Sequence, residues 1–140
     1  MKILGLDLGT NSLGIAISDS LLIAAHGYEN FTFEHGNYKK AREHLLEVLT
    51  KENINEIVIG LPLHMSGEES ERSASTRRFI ADLLSESPSI IVHYEDERMT
   101  TVIASKRLHE ANLSHKKQKN VIDMMSAVVI LQNYLDMKGN

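Results

Sequence analysis

Hydrophobic and polar positions follow two rhythms along this chain, one of period two and one of period three to four. Residues 2–8 and 13–18 are rich in Ile and Leu, and the turn formers GTNS between them predict an antiparallel hairpin. A third strand is expected between His26 and Phe33, where Tyr28, Phe31, Thr32 and Phe33 favour extended backbone. From Tyr38 to Glu52, Ala41, Leu45, Leu46, Val48 and Leu49 recur at helical spacing, which predicts an amphipathic helix covering one face of a sheet. The continuous apolar run EIVIGLP at 56–62 reads as a strand buried on both faces, and therefore as a central parallel one. A second helix is expected over Glu68 to Glu86, with Phe79, Ile80, Leu83 and Leu84 inward and Pro88 just past its end. SIIVHYE at 89–95 then reads as another strand. Thr100 or Thr101 would cap a helix running to about Asn112, and Val121 to Leu135 forms a last one, with Val121, Ile122, Met125, Val128, Val129 and Leu135 inward. Between those two, SHKKQKN at 114–120 is expected as a polar, basic and weakly ordered connection.

This order gives an α/β fold: an antiparallel meander joined to two parallel strands in one mixed five-stranded sheet, flanked by helices. No repeat or low-complexity tract interrupts it, so residues 1–140 are expected to form one domain with one main core.

Composition narrows the function classes. The chain has no cysteine, which excludes disulfides and thiolate zinc sites and suits a reducing compartment. LLIAA at 21–25 is far too short to cross a bilayer, and a cytoplasmic protein without membrane partners is expected. A net charge of −4 argues against general polyanion binding, because sequence-independent nucleic-acid affinity comes from Lys and Arg. The distribution matters more than the sum: between Glu95 and Asp123 lie five acids and six bases, and divalent cations held by those acids would reverse the local sign.

Asp7 interrupts an apolar strand, and a carboxylate there must be paired, hydrogen-bonded or chemically employed. EDER at 95–98 sits where a parallel strand ends, the usual position of ligand sites in open α/β sheets. Asp123 is expected in the first turn of the last helix, sharing a face with Ser126, Ala127 and Ile130, small enough in part for a close approach near the first strand. Two to four converging carboxylates suit Mg²⁺ or a similar hard cation and metal-assisted phosphoryl chemistry. Structural readings stand beside these. Asp7 would serve equally to accept hydrogen bonds from the GTNS amides, and Asp123 to favour the dipole at a helix start. Within EDER, strand alternation puts Glu95 and Glu97 on one face and Asp96 on the other, leaving the ligand open among them.

DLGTNSLGIAISD, IVIGLPLHMSGEES, EDERMTT and VIDMMSAVVILQNYL, in this order and spacing, closely resemble the YqgF (RuvX) family over nearly the whole chain. The resemblance implies an RNase H-like fold and a nuclease that processes the pre-16S rRNA 5′ end in ribosome biogenesis, or a Holliday-junction resolvase. It also implies an acidic triad on Asp7, Glu97 and Asp123 that binds Mg²⁺ or Mn²⁺. The implied partners are nucleic acid and ribosomal particles, with the chain a monomer or homodimer. DLGT alone also looks like the phosphate loop of actin-like ATPases, but those place nucleotide between two such domains, and this length holds one. In one departure from the family's usual small pair directly after the last acid, Met124 and Met125 precede Ser126 and Ala127 here.

Around the acids, Thr10 and Asn11 either cradle a phosphate or simply make the hairpin turn. Arg98 either holds a substrate phosphate or orients a carboxylate in bidentate fashion. Lys116, Lys117 and Lys119, just before Asp123, are either a solvated run or contacts to a substrate backbone, with Lys116 and Lys119 the chosen candidates. GLPLHMSG is expected at the rim of the substrate cleft. The seven histidines show no metal-ligand spacing.

Overall fold

The computed structural model describes residues 1–63, 66–96 and 115–139, with the backbone alone for 115–120. Five strands, β1 (Leu4–Leu8), β2 (Ser12–Ser18), β3 (Ala25–Thr32), β4 (Glu56–Leu61) and β5 (Ile91–Asp96), make a single sheet in the order β3-β2-β1-β4-β5. β1–β2 and β2–β3 pair antiparallel, whereas β1–β4 and β4–β5 pair parallel. The expected meander with two parallel strands is therefore present, each strand within two residues of its expected limits. The helix expected between Thr100 and Asn112 lies outside the described residues.

Strand alternation divides the side chains between two layers. On one face Leu4, Leu6, Leu8, Leu13, Ile15, Ile57 and Ile59 pack against Ala41, Leu45, Val48 and Leu49 of helix α1 (Tyr38–Glu52) and Phe79, Ile80 and Leu83 of helix α2 (Glu71–Glu86). On the other face Ile3, Ala16 and Val58 meet Ala127, Ile130, Leu131 and Leu135 of helix α3 (His115–Lys138). Burying each such Leu or Ile is worth roughly 1.5–3 kcal/mol.

α1 spans its expected residues, opened by the Asn37 side chain accepting from Lys40 N–H and closed by Asn53 in the left-handed conformation. Two helices differ from expectation at their starts. α2 begins at Glu71, not Glu68, because Ser70 and Ser73 form a reciprocal capping box and the Ser70 hydroxyl also donates to the Pro62 carbonyl. α3 begins at His115, so residues 115–120 continue the helix instead of forming a loop. Lys and Gln are strong helix formers, and their polarity hid a helical segment that needs no buried face.

α3 reaches the sheet through a gap in side-chain volume. β2 presents Ser12, Gly14, Ala16 and Ser18 to it, and β1 presents Gly5. A Cβ on Gly5 would stand 2.5 Å from Leu131 Cβ and 2.8 Å from the Ala127 carbonyl oxygen, and one on Gly14 would collide with the Asp123 carbonyl. The close approach inferred from Ser126 and Ala127 is thus matched by glycines across from them.

Gly5→Ala should lower stability by about 1–3 kcal/mol, because both neighbours belong to the rigid body of α3 and cannot swing away. Urea unfolding of the two proteins measures this; an unchanged midpoint would mean that α3 is not seated as described.

Candidate active site

The carboxyl ends of β1, β4 and β5 lie along one edge of the sheet, and Asp7 and Glu95 stand near it. Asp7 is half-buried near the end of β1, where its backbone pairs with Gly14. Directly paired antiparallel residues share a face, so Asp7 stands on the α3 side, as do Gly5 and Gly14.

Asp123 arrives on that face from α3. It lies more than two turns inside the helix, which removes the expected role of an acid at the helix start. Its carbonyl rests on Gly14, the backbone partner of Asp7, and its Oδ2 accepts a hydrogen bond of 2.9 Å from the hydroxyl of buried Ser12. Two residues of β2 thus hold the main chain and the side chain of Asp123 beside the strand that carries Asp7.

β5 adds a further acid. Glu95 pairs with Gly60 and Val58 pairs with Gly5, so alternation puts Glu95 on the α3 face with Asp7. It is half-buried, and burial, helped by the neighbouring charge of Asp96, raises its carboxyl above the ordinary range. Asp96 is exposed and faces the other way. Glu97 and Arg98 lie outside the described residues, as do the side chains of Lys116 and Lys119. Among the described residues, no three carboxylates or imidazoles come close enough together to hold a metal ion.

The GTNS turn is tied by its own main chain. Gly9 N–H donates to the Ser12 carbonyl at 2.8 Å, while the carbonyls of Thr10 and Asn11 accept from Gly36 and Phe33 on the segment leaving β3. Thr10 is exposed, which leaves its side chain accessible at the edge of the site.

Two residues escaped the sequence reading. Ser12 was legible only as a turn former, although the small-residue lane Ser12, Gly14, Ala16, Ser18 along β2 is a signal that a helix docks there. Arg72, in the first turn of α2, reaches across the sheet edge and donates from Nη2 to the Leu8 carbonyl at 3.0 Å, next in the chain to Asp7. Nothing in the charged run around it marked that role. Arg72 also lines, with Pro62, Leu63, Ser70 and Glu71, an open cleft of about 550 Å³ at the same edge, so the described part of GLPLHMSG does border a cleft.

Comparison with known proteins agrees with this architecture. Proteins from Geobacillus sp. and Oceanobacillus iheyensis, both named "Putative pre-16S rRNA nuclease", are 42% and 40% identical to the chain over 138 residues, covering 99% of it and 99% and 100% of themselves. Among solved structures, Thermus thermophilus RuvC in complex with Holliday junction substrate superposes with a TM-score of 0.59 at 13% identity, covering 99% of this chain and 96% of that one. That likeness is one of fold, and it makes the mixed sheet and its helices RNase H-like. Residues 1–137 match the RuvX family, described as Holliday junction resolvase, and the chain belongs to that family.

Proposed function

We propose that the chain is a divalent-cation-dependent nuclease that hydrolyses phosphodiester bonds at the 5′ end of the 16S rRNA precursor during ribosome biogenesis. The observation that carries this reading is the seating of the Asp123 main chain on Gly14, the backbone partner of Asp7, which puts both acids on the same face of the sheet near the end of β1. Two half-buried carboxylates brought from opposite ends of the chain to one face of the sheet are donors of the kind a hard cation takes.

The donor set fits a hard ion. It consists of oxygen, with no thiolate in the sequence and no imidazole joining the acids among the described residues. Asp7, Asp123 and Glu97 would hold Mg²⁺ or Mn²⁺. Such ions supply charge neutralisation at the scissile phosphate and activation of water for in-line attack. Arg98, Lys116 and Lys119 would contact the substrate backbone, and Thr10 would border its path at the hairpin turn. No covalent intermediate on the protein is required.

A four-way DNA junction is the second reading, favoured by the family description and by the likeness to RuvC. Symmetric cleavage of a junction takes two active sites, hence two copies of the chain, whereas trimming an RNA end takes one. Sedimentation with and without each substrate therefore accompanies the assay.

Wild-type protein with Mg²⁺ or Mn²⁺ should cleave RNA carrying the 16S 5′ precursor end. Asp7→Asn and Asp123→Asn should each reduce turnover by about a hundredfold or more while leaving the unfolding curve essentially in place. Cleavage of the junction and not the RNA would select the second reading, and cleavage unaffected by Asp7→Asn would remove that residue from the mechanism. Chelation by EDTA should abolish activity, and Mn²⁺ in excess should restore it; turnover that survives exhaustive chelation would sink the metal-dependent reading. Replacing Lys116 and Lys119 by Gln should flatten the dependence of log affinity on log salt by roughly 0.7–0.9 per lost phosphate contact. An unchanged slope would return both lysines to a solvated surface.

A further inference from the structure

We infer that Ser12 is a positioning residue for the metal-binding acid of α3: its hydroxyl selects which oxygen of Asp123 is presented to the cation. The inference rests on the nuclease reading above and deepens it.

An aspartate carboxyl turns easily about its terminal torsion, so the residue that fixes it decides the direction of its free lone pairs. Here the Ser12 hydroxyl donates to Oδ2 at 2.9 Å, leaving Oδ1 as the oxygen without a hydrogen bond among the described residues. The donor is itself well placed. Ser12 is buried, its carbonyl accepts from Gly9 N–H at 2.8 Å to close the hairpin turn, and its backbone pairs with Thr32 on the other side. Two residues along the same strand, Gly14 receives the carbonyl of Asp123. The main chain of Asp123 is therefore seated by Gly14 and its carboxylate by Ser12, both measured from β2, whose other partner β1 carries Asp7.

The donor's chemistry suits the task. A neutral hydroxyl occupies one acceptor position without cancelling the negative charge, which a Lys or Arg there would do. Partners that orient a metal-ligating carboxylate in this way change metal affinity by about 10–100-fold when lost. A serine that merely satisfied a buried strand end would have no such effect.

Thr and Val have nearly the same shape and differ in the hydroxyl, so Ser12→Thr and Ser12→Val make the decisive pair, with Ser12→Ala as the simple deletion. Mn²⁺ binding is read by electron paramagnetic resonance of the free ion on protein shown to be folded by circular dichroism, and cleavage is read as kcat and KM separately. Ser12→Val and Ser12→Ala should bind Mn²⁺ about tenfold more weakly and lose kcat with KM for nucleic acid unchanged, while Ser12→Thr should restore both. Should Ser12→Ala not fold, the Thr and Val pair answers the question alone. Equal Mn²⁺ binding by Ser12→Val and Ser12→Thr, with Asp123→Asn defective, would overturn the role of Ser12 and leave the nuclease reading intact. Wild-type protein that binds no Mn²⁺ would overturn both, and the two failures are distinct in the same experiment.

Discussion

The architecture depends on how closely α3 can lie against β1 and β2. An ordinary helix stands off a sheet by the thickness of the side chains between them, and that distance would hold the main chain of Asp123 away from β2. Gly5 and Gly14 remove that thickness at two points, with Gly27 receiving the Met124 side chain on the neighbouring strand. The helix is thereby lowered until a carbonyl of its own backbone touches the strand. Apolar contacts from Ala127, Ile130, Leu131 and Leu135 hold it down, and Gln132 fastens its outer side to the β2–β3 connection through the backbone of Ile23 and Ala25.

The two faces of the sheet have different duties. The face under α1 and α2 is filled by branched aliphatic residues and supplies most of the hydrophobic core. The face under α3 is thinner and more polar, and it contains Ser12, Asp7, Asp123 and Glu95. Acid groups tolerate such partial burial poorly, as the raised carboxyl of Glu95 shows. The apolar core on one face thus supports a half-buried, acidic edge on the other.

The legibility of the fold followed from which signals are local. Strands and α1 announced themselves through apolar runs, alternation and turn formers, and their limits hold within two residues. α2 was misjudged at its start because Glu68 and Glu69 look like first-turn acids, while the true cap, Ser70, is recognised only by the bonds it makes with Ser73. α3 was misjudged because its first residues are helical without an apolar face, so periodicity had nothing to report. At the site, Asp7 and Asp123 stood out as acids among apolar neighbours. Ser12 did not, since a serine at a turn has an ample local explanation and its contact is with a residue at the other end of the chain. Strand alternation placed Glu95 correctly on its face, and Glu97, which the family resemblance selects, lies outside the described residues.

The hydrogen bond between Ser12 and Asp123 spans 111 residues of sequence. Contacts of that separation carry a large loop-closure cost and depend on the intervening elements having folded first. β1 and β2 emerge early in synthesis, but the acid that would complete their carboxylate set is delivered by the last described helix. During translation the growing chain therefore cannot make this hydrogen bond until α3 has been synthesised and has docked.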